Sequence, residues 1–318
     1  MVFTALRPCL DMQAYDWPQL AGVCAQMIQI LALTTLLILI FGALFTAGDG
    51  VFAALWFELL LICGAAFGIL IIGNAPHVAA RALSGFGRAV TGSRWKRADY
   101  VSLMALLDTL TRRARQGGLI AIEDDIEAPQ SSKTFQAAPR ILAHEGAREL
   151  ICETFRLASM DLSDKQHAVS AMRRSIERSY ESEMRPVNAL HSLGDALPAL
   201  GIVAAIIGII RAMGVIDQAP GVVGVMMGAA LLGTFLGVFL AYGIVAPVAS
   251  RLGQIVEEEE RFFIVIETVL SAYINDVAPL AAIELGRGEI PTELAVTSAS
   301  LRHAMQAARF EQRQNKAA

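Results

Sequence analysis

Four long apolar segments constrain what this chain can fold into. They cover residues 27–47, 51–73, 197–216 and 221–249. About 20 apolar residues in an α-helix cross the hydrocarbon core of a bilayer. A helix also satisfies its own backbone hydrogen bonds where no water is present. We therefore expect an all-α membrane protein with four transmembrane helices.

Composition agrees with a membrane protein and excludes two other classes. Of the 318 residues, 55% are hydrophobic and only 18% are charged, which is unusual for a soluble protein. The formal net charge of −4 gives no basic excess for nucleic acid binding. The four cysteines lack metal-ligand spacing, so we expect reduced thiols and no metal site: Cys9, Cys24, Cys63 and Cys152.

Basic residues are distributed very unevenly. Of the 26 Lys and Arg residues, 17 lie between residues 74 and 196, and 7 follow residue 249. The positive-inside rule then places this middle segment and the C-terminal tail in the cytoplasm, and an even number of spans places the N-terminus there too. The predicted organisation is an N-terminal cytoplasmic segment (1–26), a transmembrane hairpin (27–73), a large cytoplasmic helical domain (74–196), a second transmembrane hairpin (197–249), and a helical cytoplasmic extension and tail (250–318).

Helical periodicity dominates the middle segment. From Asp99 to Arg115 leucines recur at spacings of three and four, and Gly117 with Gly118 provides a stop signal. Further helical patterns run over residues 140–160 and 163–184. The large insertion is therefore predicted to be helical.

Charged groups are nearly absent from the predicted spans. Glu58 is the only carboxylate, and Arg211 lies near the far end of the third span. Two interpretations of Glu58 are open: a structural or interfacial carboxylate near the periplasmic end, or an ion site. A conducting protein with so few titrating groups predicts that a second subunit supplies the ion-accepting carboxylate.

Small residues recur at spacings of four on these helices, which lets helix backbones approach closely. Such packing could operate within one subunit or between subunits. Thr234 lies in the middle of the fourth span, where its hydroxyl must bond to the backbone or line a wet surface. The small-residue pairs are Gly64 with Gly68, Gly224 with Gly228, and Gly233 with Gly237.

Several stretches resemble one known family in the same order. The sequence LGDALPALGIVAA begins at Leu193, and GTFLGVFLAYGIVAP begins at Gly233. The cytoplasmic segment contributes RQGGLIAIEDDIEAP from Arg115 and PRIL from Pro139, and ELGR begins at Glu284. These motifs resemble the MotA family of flagellar stator subunits, part of the MotA/TolQ/ExbB proton-channel superfamily.

The resemblance implies a division of labour within a complex of the bacterial inner membrane. It implies a homo-oligomer of five such subunits around a pair of single-span MotB chains, whose intramembrane Asp accepts the ion. It places Pro198 and Pro247 at coupling positions, with Thr234 and Tyr242 near the ion path. Ala205 stands where sodium-driven relatives tend to carry Thr, which favours H⁺ over Na⁺. No cofactor and no enzymatic activity are expected.

The same resemblance implies an electrostatic rotor contact. Arg115 and Glu123 match the basic and acidic positions that would face opposite charges on the rotor protein FliG. Exposed ion pairs of this kind contribute under about 1 kcal/mol each, which suits a contact that must be broken at every step.

Two other functions are alternatives. A TolQ/ExbB-type proton-driven energiser resembles the last two spans, but it would have three spans and a periplasmic N-terminus. A secondary transporter or intramembrane enzyme would need a substrate site at the midplane, such as a broken helix or a catalytic pair, and the sequence shows neither.

Overall fold

The structure is a computed structural model that describes residues 28, 31–32, 34–42, 45, 49–160, 165–302 and 305–306. Within these ranges it contains helices and turns and no β-strand, which confirms the all-α class for the described part. The predicted N-terminal segment 1–26 lies outside the described residues. The α-helices are α1 (Asp49–Gly73), α2 (Pro76–Thr91), α3 (Arg97–Gly117), α4 (Glu123–Glu127), α5 (Lys133–Gln136), α6 (Pro139–Ala143), α7 (Glu145–Met160), α8 (Lys165–Met213), α9 (Pro220–Phe239), α10 (Ala246–Ile274) and α11 (Pro279–Gly288).

The chain divides into two compact units. We call residues 1–92 with 183–255 the membrane unit, and residues 93–182 with 256–318 the head unit. Helices α8 and α10 each continue from one unit into the other. The predicted domain boundaries at residues 74, 197 and 250 remain predictions.

Three described helices are long and apolar enough to cross a membrane. They are Ala54–Gly73, Gln166–Met213 and Pro220–Ile274, the last running through α9 and α10. They match the second, third and fourth predicted spans. The first predicted span, 27–47, is described only in part, and its described residues, 28, 31–32, 34–42 and 45, are helical. Four spans therefore remain a prediction.

The third predicted span is part of a longer helix, α8. It is one continuous helix of 49 residues that passes through Pro186 and Pro198. A proline inside a helix removes a single hydrogen bond, and it ends the helix only where packing does not hold the flanking turns. Leu193 and Leu197 are both buried, so packing on either side of these turns keeps α8 intact.

Helix α2 joins the first described span to the head unit and packs by one face. Val78, Ala82 and Ala89 are buried along that face. Gly85 makes the close approach possible, because a Cβ there would lie 2.7 Å from a Leu252 methyl carbon. On another face of α2, the guanidinium of Arg88 contacts Glu183 of α8 at 2.7 Å.

Aromatic and aliphatic side chains from α3, α7, α10 and α11 fill the head unit. Phe262 is completely buried and stacks on Trp95 at a centroid distance of 3.8 Å. Tyr100 meets Phe262 edge-on at 5.3 Å. At the other end of the core, a Cβ at Gly286 would collide with a Val269 methyl group, so this glycine sets the spacing between α11 and α10. The core thereby fixes the end of α3, where the predicted rotor residue Arg115 lies, and the end of α10.

Candidate functional site

Glycines bring α8 and α9 into backbone contact within one subunit. A Cβ added to Gly237 would lie 2.7 Å from both the Cα of Gly201 and the carbonyl oxygen of Leu197. A Cβ at Gly201 would lie 2.9 Å from the carbonyl oxygen of Gly233. These separations are shorter than ordinary carbon contacts, so side chains cannot fit. For Gly233 and Gly237, the structure selects packing within the subunit.

Other small residues have a different environment. A Cβ added to Gly64, Gly68 or Gly224 would meet nothing within 4 Å. Gly64 and Gly68 lie on α1 and Gly224 on α9, both apolar helices. Among the described residues these three glycines have no close neighbour, so they are not part of the contact between α8 and α9.

Glu58 is buried where α1, α8 and α9 meet. Its exposed fraction is 4%, and its Oε2 atom is buried with no hydrogen-bond partner among the described residues. A Cβ at Gly233 would lie 3.1 Å from that oxygen and 3.3 Å from the backbone nitrogen of Ala205. This burial does not fit an interfacial carboxylate, and it leaves the structural and ion-site interpretations open. We call this place the three-helix junction, formed by Glu58, Ala205 and Gly233.

Two predicted ion-path residues lie at the three-helix junction. Ala205 is 8% exposed, and its methyl group leaves no hydroxyl there. Thr234 follows Gly233 on α9 and is partly exposed. Thr111 and Thr154 each donate to the carbonyl four residues earlier, whereas the described residues show no hydrogen bond for the Thr234 hydroxyl. Both interpretations of Thr234 therefore stay open.

The prolines lie where α8 passes the junction of α9 and α10. Residues Leu240–Val245 form a π-helical turn directly before Pro247. In a regular α-helix the Pro247 ring would clash with the carbonyl of Gly243, and a widened turn relieves that clash. One turn before Pro198, a Cβ at Gly194 would lie 3.6 Å from Val245. The two prolines are therefore brought to adjacent parts of neighbouring helices.

Tyr242 belongs to an exposed apolar stripe. Its exposed fraction is 68%, and Leu231, Phe235 and Val238 are also exposed at spacings of four, three and four. Residues with this spacing share one helix face. The described part of this face carries no charged residue, so it suits lipid or another apolar helix.

Arg115 has a structural role that the sequence did not reveal. Helix α10 ends in a Schellman motif in which Asp276 adopts φ 62°, and the amide of Val277 donates to the carbonyl of Ala272. The Arg115 guanidinium donates to the carbonyls of Val277 at 2.8 Å and Tyr273 at 3.4 Å. A cation at a helix C-terminus also complements the helix dipole. Arg115 therefore joins the end of α3 to the end of α10.

Arg115 also lies over the Tyr273 ring, 5.6 Å from its centroid. Burial raises the pKa of the Tyr273 phenol, while the neighbouring Arg115 lowers it to a lesser extent. The ring is thus neutral at physiological pH and stabilises the cation by its π face. Arg115 remains partly exposed, with 33% of its side chain accessible.

Glu123 begins the short helix α4 and is exposed. Within the described residues its carboxylate has no ion-pair or hydrogen-bond partner, in contrast to Arg115. An acidic side chain in the first turn of a helix is favourable without a partner. Glu123 can therefore form a new ion pair without breaking an existing one.

Asp125 lies in α4 and anchors the segment between Arg115 and Glu123. This role of Asp125 was not predicted from the sequence. The carboxylate is 7% exposed and accepts hydrogen bonds from the Arg113 guanidinium and the Ser132 hydroxyl. Arg113 also donates to the carbonyl of Ala121 at 2.6 Å. Ser132 in turn caps α5, accepting from the amides of Thr134 and Phe135. Only the Ser132 cap had a recognisable sequence signal, because Arg113 and Asp125 are paired by the fold of the loop.

Two protein families match successive parts of this chain. Residues 30–118 match the Motility protein A N-terminal family, and residues 139–263 match the MotA/TolQ/ExbB proton channel family. Motility protein A of Escherichia coli is 33% identical over 231 residues, covering 72% of this chain and 78% of that protein. Chemotaxis protein LafT of Vibrio parahaemolyticus is 33% identical over 271 residues, covering 85% and 95%.

Two solved structures share the fold. The C. jejuni MotAB structure has a TM-score of 0.64 at 16% identity and covers 88% of this chain and 99% of that chain. The flagellar MotAB stator complex from Bacillus subtilis has a TM-score of 0.54 at 18% identity and covers 83% and 92%.

Proposed function

We infer that this chain works in the inner membrane with a MotB partner. The chain belongs to the MotA family and is a flagellar stator subunit of the MotA/TolQ/ExbB proton channel family. The similar solved structures are MotAB complexes. One observation carries the proposal: α9 and the π-helical turn that follows it present an exposed apolar stripe without a carboxylate, formed by Leu231, Phe235, Val238 and Tyr242. A partner helix that packs there would have to bring the ion-accepting Asp.

The transported ion in this proposal is H⁺. Ala205 lies at the three-helix junction without a hydroxyl that could replace water around a dehydrated Na⁺. One charge crossing 100 mV releases about 2.3 kcal/mol, so successive transfers would drive the rotation of the subunit ring. Pro198 and Pro247 would couple protonation of the partner to movement of α8 and α10. We propose a ring of five subunits around two MotB chains.

The proposed topology has four spans, with both termini in the cytoplasm. It predicts that a variant with Cys9 as its sole cysteine is not labelled by a membrane-impermeant maleimide in spheroplasts. Labelling should occur after the membrane is made permeable. Reaction of Cys9 in intact spheroplasts would instead favour the three-span topology of a TolQ/ExbB-type energiser. The match of residues 30–118 to the Motility protein A N-terminal family supports the four-span alternative.

The rotor contact is proposed at Arg115 and Glu123, facing opposite charges on FliG. The structure makes Arg115→Glu an ambiguous test, because this change also removes the hydrogen bonds to the end of α10. Glu123→Lys is cleaner, since Glu123 is exposed and has no partner among the described residues. We expect Glu123→Lys to lower swimming speed and torque while the complex assembles normally.

The matched control for this test is Glu289→Lys. Glu289 is also exposed and follows α11, so the charge change is the same but lies at another helix end. Swimming should be unchanged in this control. Equal swimming of the Glu123→Lys and wild-type strains would remove Glu123 from the rotor contact. Restoration by a compensating Lys→Glu change on FliG would identify its partner.

A further inference from the structure

Glu58 is a buried carboxyl group for which the proposed division of labour has no use. In that scheme the partner supplies the titrating group, yet this chain keeps a carboxyl in the bundle with 4% exposure. Burying an unpartnered polar group costs about 1–3 kcal/mol in proteins, and an isolated carboxylate costs far more. Its Oε2 atom makes no compensating hydrogen bond. A group kept at such cost inside a membrane bundle is a candidate for function.

The surroundings of Glu58 point to proton exchange and not to metal or substrate binding. A Cβ at Gly233 would lie 3.1 Å from the Glu58 Oε2 atom, 3.0 Å from the Ala204 methyl carbon and 3.3 Å from the Ala205 nitrogen, so small apolar residues lie on this side of the carboxyl. The described residues contain no group of three or more His, Cys, Asp or Glu side chains that could hold a metal ion. Binding of a dehydrated cation needs several oxygen ligands. A proton needs only the one carboxyl oxygen, so the site is chemically suited to H⁺ alone.

The charges around Glu58 oppose each other. Helix α9 carries no charged residue, and the only charged residue in the transmembrane half of α8 (197–213) is Arg211. Its guanidinium lies 4.1 Å from the centroid of the Phe57 ring, next to Glu58 in sequence. Asp49 lies at the start of α1, and Asp217 lies in the turn between α8 and α9. The described charges on these segments, apart from Glu58 itself, are therefore one cation near the end of α8 and two acidic residues at helix ends.

We propose that Glu58 is a proton-binding site of this subunit, which takes up and releases H⁺ at the three-helix junction during conduction. This inference rests on the proposed proton-conducting function. The O–H bond of the Glu58 carboxyl breaks as the proton passes to water or to the partner's carboxylate. The carboxylate that remains accepts a proton from H3O⁺ on the opposite side, which leaves water, so one proton enters and one leaves per cycle and charge and atoms balance. Thr234 follows Gly233 on α9, so its backbone lies next to this junction.

The test compares Glu58→Gln with Glu58→Asp in the complex with the MotB partner. Gln keeps the shape of the side chain but cannot release a proton, whereas Asp keeps a titratable group on a shorter stem. Proton flux into vesicles containing the purified complex is measured under an imposed potential. We expect a several-fold loss of flux for Glu58→Gln and a smaller loss for Glu58→Asp, with equal recovery of the assembled complex.

A second measurement reads the carboxyl group directly. In infrared difference spectra of the wild-type complex minus Glu58→Gln, the C=O band of a protonated carboxyl should disappear as pH rises. If the Glu58→Gln complex fails to assemble, the Glu58→Asp complex is compared with wild type instead. A carboxyl band that belongs to this side chain would then shift in wavenumber and in the pH at which half of it has disappeared. A band that does not change between pH 5 and 9 would overturn the proposal.

The flux measurements distinguish a failure of the proposed Glu58 site from a failure of the proposed proton conduction. Wild-type complex that passes no protons would contradict the proposed conduction itself. Wild-type and Glu58→Gln complexes that conduct equally would leave conduction intact and reduce Glu58 to a structural, permanently protonated group. Loss of flux in Glu58→Gln with partial retention in Glu58→Asp supports the proposal.

Discussion

Replacing Gly237 by alanine is expected to abolish swimming. The added Cβ would lie 2.7 Å from the Cα of Gly201 and 2.7 Å from the carbonyl oxygen of Leu197. Both atoms belong to the backbone of α8, so no side-chain rotation can relieve the clash. The helices must separate, and overpacking of this kind costs about 1–3 kcal/mol. The separation also moves the three-helix junction, because Gly233 lies one turn away on α9.

Gly224→Ala is the matched control for Gly237→Ala. Gly224 lies on the same helix, but a Cβ there would meet nothing within 4 Å. Swimming speed on soft agar, complex yield and thermal stability in detergent should all be close to wild type for this control. Full motility of Gly237→Ala would show that α8 and α9 do not make this backbone contact in the assembled stator. Loss of motility in Gly224→Ala alone would indicate that the decisive small-residue contact lies between chains.

Replacing Asp125 by alanine is expected to destabilise the head unit. The change leaves the Arg113 guanidinium and the Ser132 hydroxyl without their shared acceptor. Breaking a buried ion pair costs about 3–5 kcal/mol, and we expect about 2–4 kcal/mol here because Arg113 is a third exposed. The segment between Arg115 and Glu123 should lose its fixed shape, so motility should fall as well.

The alkylation rate of Cys152 measures how often the head unit opens in the Asp125→Ala variant. Its side chain is 3% exposed, and burial raises the pKa of its thiol to about 11, so little reactive thiolate is present in the folded protein. With Cys152 as the sole cysteine, Asp125→Ala should accelerate alkylation at pH 8 on the order of 100-fold, since each 1.4 kcal/mol of opening free energy is a factor of ten. Asp124→Ala, at the exposed neighbouring carboxylate, should leave the rate unchanged. Equal rates for both variants would show that Asp125 does not stabilise the head unit.

Much of the helical architecture could be predicted from local pattern. The helix expected from Asp99 to Arg115 is α3, and Gly118 ends it with φ 72° as its stop signal required. Long apolar runs correctly predicted the described spans, because length and apolarity decide which helices can enter lipid. The unbroken course of α8 through Pro186 and Pro198 was not predicted, since local rules for proline do not include the packing that holds the helix together.

The candidate sites were only partly predictable. Resemblance located Arg115, Glu123, Ala205, Thr234 and Tyr242, but it gave no contacts for them. The helix-capping role of Arg115 depends on Tyr273 and Val277, more than 150 residues away in sequence. The Arg113–Asp125 pair likewise had no periodic signature, because neither residue lies at helical spacing from the other.

The sequence by itself determined that this protein has membrane-spanning helices and that its Lys and Arg residues lie mostly outside them. Apolar run lengths and the placement of Lys and Arg are one-dimensional properties, and the bilayer acts on them directly. The sequence also indicated that ion capture needs a partner, because its spans contain a single carboxylate. Only the tertiary structure decided which glycines pack within the subunit and placed Glu58 against Gly233. Those properties depend on which helix faces meet, and helical spacing fixes a residue's face without fixing what lies opposite it.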